Sequence, residues 1–183
     1  YFGWDSYLIE KRLGETTLSR DKRVLILSGG ADTARLGRDL PQRISEVIRE
    51  PLVVDWVQGP FAQAPNIPKS DHHLWNIHFA PNGLDHLINQ ASHVICVFGV
   101  SFFEALLFGK PTIVFSPYGS KDSRELAELK EQGVALVSDK EKVVADLLTL
   151  INDEELSRSL ASVATSKMSD KGPALLAEII FNL

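Results

Sequence analysis

The chain has 183 residues, 44% of them hydrophobic, enough for one well-packed domain with a sizeable core. A net charge of −5 and a pI near 5.5 argue against a general nucleic-acid or anionic-membrane surface, though not against a small anion held by local backbone amides. The one cysteine, Cys96, lies in an apolar run and implies no disulfide framework and a reducing, cytoplasmic setting; no apolar run approaches the roughly 20 residues that span a bilayer.

Residues 1–20 are aromatic and charged without strand-like alternation, and Tyr1 is not an initiator methionine. They are read as an extension from a preceding domain, with residues 21–183 as one α/β domain. Residues 24–27 form an apolar strand that ends in Ser28-Gly29-Gly30. A helical stretch up to Glu50 follows, with Pro41 suited to a first turn. Residues 52–57 make a second strand, and Pro60, Pro65 and Pro68 mark the next stretch as loop. Residues 76–79 are a short third strand. Asn82 is expected to cap a helix to Gln90 that buries Leu84, Leu87 and Ile88. Residues 93–98 are the fourth strand and 101–108 a short helix stopped by Gly109. The fifth strand covers 112–115, a helix 122–132, and the sixth strand 134–137. Asp139 caps a helix to Ile151, and two further helices cover about 153–168 and 173–182.

Strand and helix alternate, and the strands are continuous apolar runs. That pattern predicts a doubly wound, Rossmann-like α/β fold: a mostly parallel six-stranded sheet covered by helices on both faces. Ligands of such sheets bind at the carboxyl ends of the strands. These ends are residues 28–32, 58–60, 81–83, 99–104 and 116–122.

At the first end, Gly29 and Gly30 would let the backbone approach a phosphate, or simply form a tight turn. The spacing is not a dinucleotide fingerprint, and no P-loop lysine follows. At the fourth end, a helix opens after Gly99, Val100 and Ser101, where free amides and the helix dipole favour an anion. Glu104, one turn in, suits a sugar diol; equally, Ser101-x-x-Glu104 has the spacing of a capping box, which needs no ligand. Adjacent His72 and His73 lack a third ligand, so no metal site is expected. His78, His86 and His93 read as surface or packing residues, and Phe102, Phe103 and Phe108 as core. No nucleophile elbow is present.

These residues together resemble the C-terminal domain of a two-domain GT-B nucleotide-sugar enzyme. The nearest resemblance is to the UDP-sugar hydrolase of the pseudaminic acid pathway and the spore-coat-polysaccharide proteins classed as glycosyltransferases. The bacterial N-acetylglucosaminyltransferase that makes lipid II is a more distant relative. In that group a Gly-Gly-Ser-Asp loop ends the first strand, and Gly29-Gly30-Ala31-Asp32 matches three of its four positions. A Gly-x-Ser/Thr-x-x-Glu segment corresponds to Gly99, Ser101 and Glu104, a Gly-x-Pro to Gly109-Lys110-Pro111, and a terminal Met-x-Asp-Gly-x-Gly-Ala element loosely to residues 168–174. The resemblance implies that Gly29, Gly30 and the turn Gly99-Val100-Ser101 hold the diphosphate by backbone amides, with Asp32 among the nucleotide-binding residues. It also implies that Glu104 binds the ribose, Phe79 lies near the base, and Ser120 sits in the sugar-contacting loop. There the group has Asn-Gln, whereas this chain reads Ser116-Pro117-Tyr118-Gly119-Ser120-Lys121-Asp122, which leaves the sugar open. The implied partners are UDP or a UDP-sugar and an N-terminal domain that carries the catalytic base. No cofactor, metal, nucleic acid or membrane insertion is implied, and no catalytic residue is assigned within the chain. A binding module with the same fold and no sugar chemistry is the alternative.

Overall fold

The computed structural model describes residues 4, 7–9, 22–69, 72–182. Six strands form one sheet: β1 (Arg23–Leu27), β2 (Val53–Gln58), β3 (Leu74–Phe79), β4 (His93–Val97), β5 (Thr112–Phe115) and β6 (Leu136–Val137). Their order across the sheet is β3-β2-β1-β4-β5-β6, and every pairing is parallel. The order reverses direction between β1 and β4, which opens a crevice at their carboxyl ends.

The apolar runs explain the two-sided cover. Along β1, Leu25 and Leu27 enter a first core while Val24 and Ile26 enter a second. In β4, Val94 and Cys96 face the first core and Ile95 the second. The first core is closed by α2 (Asp85–Gln90), α3 (Val100–Leu107) and α4 (Ser123–Gln132). The second is closed by α1 (Leu40–Val47), α5 (Val143–Asn152) and α6 (Glu154–Lys167), with Trp56 among its fully buried side chains. A last helix, α7 (Gly172–Phe181), is apolar yet leaves Ile179, Ile180 and Phe181 exposed.

Several boundaries differ from the sequence reading for identifiable reasons. Asn82 does not cap α2; the helix starts at Asp85 after Leu84, with no side-chain cap. The sixth strand shrinks to Leu136–Val137, because Val134 and Ala135 are buried in the first core without pairing. Residues Gly119–Asp122 form a 3-10 turn ahead of α4. Asp139 accepts from the Lys142 amide at 2.8 Å and opens the turn into α5, and Asp153 caps α6 through the Leu156 amide at 2.9 Å. Pro41 occupies the first turn of α1, as its lost N–H permits.

The expected boundary near residue 20 falls outside the described residues. Within the segment before it, Trp4, Tyr7 and Ile9 pack on the domain. The Tyr7 ring stacks 3.9 Å from that of Phe103, and Trp4 Nε1 donates to the Gln132 side chain at 3.1 Å. Among the described residues, no helix is long and apolar enough to cross a membrane, and no cluster of three or more His, Cys, Asp or Glu could hold a metal ion. His72 and His73 serve packing instead: His73 Nδ1 accepts from the Leu52 amide at 3.1 Å, and His72 Nε2 meets the Ile48 carbonyl at 2.8 Å.

Candidate nucleotide cleft

A cleft of about 340 Å³ opens where β1 and β4 diverge. The β1 loop contributes Ser28, Gly29, Gly30, Ala31 and Thr33, and the start of α3 contributes Gly99, Val100 and Ser101. Pro117 and Tyr118 close it from the β5 side. None of its lining side chains is charged. Any charge on a ligand here meets backbone dipoles. Val100 and Ser101 are the first two residues of α3, and no carbonyl within the helix can meet their N–H groups. The dipole of α3 adds positive potential at the same end.

The glycines fall into two kinds. Gly29 has a φ of +84°, so its turn requires a glycine. Gly30 and Gly99 have no such need. Neither has a positive φ in the left-handed region, and a β-carbon added at either would meet nothing within 4 Å. Both line the cleft. The chain itself does not require glycine there; an occupant approaching the backbone would.

The Ser101–Glu104 pair forms, but not as a capping box. Gly99 is the N-cap, and Ser101 stands inside the helix. The Ser101 side chain instead acts on the Glu104 carboxyl one turn on, drawing its pKa down. Burial pushes the Glu104 carboxyl above its ordinary range, Asp85 at the start of α2 pushes it further, and the Ser101 hydrogen bond pulls it back in part. Glu104 is half-buried one turn beyond the cleft lining, linked to it through Ser101. Sequence reasoning gave this carboxylate two uses, and the geometry removes one of them.

Of the other residues predicted from sequence, Asp32 has both oxygens engaged at 2.8 Å, by the Leu36 and Gly37 amides. It holds the β1 loop in shape and lies in the wall of a neighbouring cavity. Phe79 ends the edge strand β3 and is exposed, outside the cleft lining. Ser120 is also outside it; its carbonyl accepts from the Ser123 hydroxyl at 2.8 Å. The Ser116 hydroxyl donates to Asp122 at 2.5 Å and accepts from the Tyr118 amide at 3.0 Å, so this loop is tied to itself. The sequence reading missed Tyr118 and Thr33 as lining residues. An aromatic between Pro117 and Gly119 at a strand's carboxyl end was the available signal for the first; nothing marked Thr33. The Lys121 ammonium stands 5.6 Å from the Tyr118 ring centroid, a cation–π distance at the cleft's rim.

The fold has close counterparts of known structure. It is similar to MurG of Acinetobacter baumannii (TM-score 0.68, 16% identity), covering 90% of this chain and 50% of that one. It is similar to the glycosyltransferase SnogD of Streptomyces nogalater (TM-score 0.64, 18% identity, 88% and 43% covered). It is also similar to HepE of Anabaena, solved with UDP and glucose (TM-score 0.61, 13% identity, 89% and 49% covered). The fold is that of one domain of a GT-B glycosyltransferase. The chain spans about half the length of these structures. No family model and no curated protein matches its sequence.

Proposed function

We propose that this chain is the sugar-nucleotide donor domain of a glycosyltransferase acting in surface-glycan synthesis, and that its ligand is UDP or a UDP-sugar. The observation that carries the reading is the pair Gly30 and Gly99. Two glycines that the fold itself does not need line one cleft, beside the uncapped start of α3. The diphosphate would lie on the amides of Gly30, Val100 and Ser101, with Gly29 shaping the turn. Glu104 would accept the ribose hydroxyls, and Phe79 and the loop after it would border the base. Asp32 would support the loop from behind, and Ser120 would lie towards the sugar. HepE, which has this fold, was solved with UDP, and so was MnaA of S. aureus.

A catalytic group would come from a second domain closing over the cleft. In favour of such a cover, Val100 and Tyr118 are 71% and 57% exposed at the cleft, although both are apolar in bulk. A UDP-sugar hydrolase is the same reading with water as acceptor. The self-tied Ser116–Asp122 loop favours a second reading, a nucleotide-binding module without sugar chemistry.

The test is calorimetric titration of the chain with UDP, beside Glu104→Ala and Glu104→Gln. Saturable binding near 0.1 mM, about −5.5 kcal/mol, is expected for a half-site, with both variants at least tenfold weaker. Absence of UDP binding by folded chain overturns the reading.

A further inference from the structure

A larger cavity, about 770 Å³, lies on the other side of the β1 loop. Its wall includes Ala31 and Thr33, which also line the nucleotide cleft, so the two spaces share a partition. Beyond that partition the lining changes character. It carries two guanidinium groups, Arg35 and Arg38, the amides Gln63 and Asn66, and the ring of Phe61.

The pocket is held open by the main chain. The loop between β2 and β3 has no helix among its described residues and is sewn to the β1 loop at several points. The Phe61 amide donates to the Gly30 carbonyl at 3.0 Å, and the Asn66 amide to the Gly37 carbonyl at 2.7 Å. Asn66 Nδ2 donates to the Arg38 carbonyl at 3.2 Å. A β-carbon at Gly37 would lie 3.2 Å from Pro65 Cα, so the loops are in direct backbone contact there.

The two guanidinium groups and the Phe61 ring are not used by the fold. Among the described residues, neither guanidinium has a hydrogen bond or ion pair. Phe61 is 85% exposed, unusual for a phenylalanine whose own amide is fixed in place. Arg35 is held at a φ of +56°, a conformation that costs a side-chain-bearing residue free energy and that glycine would adopt without cost. The Asp32 carboxylate in the same wall has both oxygens occupied by amides. In a chain of net charge −5, two unpaired cations beside an exposed ring are a local exception that the fold does not explain.

We infer that this pocket takes a sugar bearing a phosphate or carboxylate, held by Arg35 and Arg38 and stacked on Phe61. The forked guanidinium matches either anion, and a flat aromatic face matches the C–H face of a pyranose. The pocket stands independently of the glycosyltransferase reading.

The experiment follows arginine Nε–Hε, Phe61 ring and backbone amide resonances of the labelled chain during titration with glucose 6-phosphate, glucuronate, glucose and inorganic phosphate. Each titration is run with and without saturating UDP. Saturable shifts at Arg35, Arg38 and Phe61 are expected for glucose 6-phosphate and glucuronate, with Kd on the order of 1 mM and unaffected by UDP. Neutral glucose binds at least about tenfold more weakly. Arg35→Gln with Arg38→Gln removes binding. Phe61→Ala weakens glucose 6-phosphate but leaves inorganic phosphate unchanged. Arg35→Gly raises the melting temperature while weakening the anion, because the strain is released together with the ligand group. The inference is overturned if the arginines respond without saturation, if shifts occur only at Gly99 and Val100 and vanish with UDP, or if glucose binds as well as its phosphate. The donor reading fails separately, through UDP leaving the Gly99 and Val100 amides unmoved.

Discussion

Gly59 is pressed against Gly30: a β-carbon at position 59 would stand 2.4 Å from the Gly30 carbonyl oxygen and 2.5 Å from that of Gly29. No side-chain atom is involved, so no rotamer change can relieve the contact. The carboxyl end of β2 thereby fixes the height of the β1 loop that lines the cleft. Gly59→Ala must push that loop away. A loss of about 1–3 kcal/mol is expected in urea unfolding. UDP affinity should fall more than stability alone explains, because the Gly30 amide moves with its carbonyl. A variant that unfolds at the wild-type urea concentration would show that the loop has no fixed position.

Glu104 gives a pH test of the ribose contact. Burial, and then Asp85, raise its pKa above the ordinary glutamate range. Only the carboxylate accepts two hydroxyl hydrogens well. UDP affinity should therefore fall as pH drops through the raised value, at a pH above the ordinary pKa of about 4.3. Glu104→Gln should bind more weakly and lose this dependence. On the stability side the sign is opposite. A raised folded-state value means that the fold favours the protonated acid, so ionisation near neutrality costs stability, and Glu104→Gln should melt at or above wild type at pH 7. Calorimetry from pH 4.5 to about 7.5 and thermal melts at the same points measure both.

The long-range arrangement was legible because it depends on runs of several residues. The strand segments, the Gly109 stop of α3 and the buried Phe102, Phe103 and Phe108 all follow from apolar pattern plus punctuation. The N-cap of α3 was misread by two residues, Ser101 for Gly99, and that shift decided the chemistry. With Ser101 as N-cap its hydroxyl would serve the helix; with Gly99 as N-cap it serves Glu104. Propensity favours serine at the cap. The second cavity was invisible because Phe61, Gln63 and Asn66 reach Arg35 and Arg38 only through the loop between β2 and β3, which no local pattern announces.

Asp55 carries the acid sensitivity of the fold. It is 1% exposed in β2, and it is met by Arg23 Nε of β1 at 2.6 Å and by His78 Nε2 at 2.9 Å and Asn76 Nδ2 at 3.1 Å of β3. Burial raises its pKa, but the hydrogen bonds from His78, Arg23 and Asn76 more than offset this and leave it below the ordinary range. The contribution is present above the unfolded value of about pH 3.9 and is lost as pH falls through the lower folded value. Asp55→Asn should flatten the stability profile below pH 4. Asp55→Ala leaves Arg23 without its carboxylate and should cost about 3 kcal/mol or more in urea unfolding. The cluster is remote from the cleft lining, so UDP binding by the folded fraction should be unchanged.

Gly109 brings the C-terminal end of α3 against α6. It follows α3 at a φ of +62°, its amide donates to the Leu106 carbonyl at 2.8 Å, and a β-carbon would lie 2.6 Å from Thr165 Oγ1 on α6. Two costs therefore add in Gly109→Ala: the left-handed backbone, about 1 kcal/mol, and the contact with α6. Only the second depends on Thr165. Combining Gly109→Ala with Thr165→Ala should recover part of the loss and leave the backbone share. A double-mutant cycle on urea unfolding should then return a coupling energy of about 0.5–3 kcal/mol. If the cost were wholly conformational, the cycle would close with no coupling, and α3 would be set by its own C-terminus alone. If α6 sets it, Gly109→Ala should also weaken UDP binding at the opposite end of α3, and Thr165→Ala should restore it, since an eight-residue helix tilts as a unit.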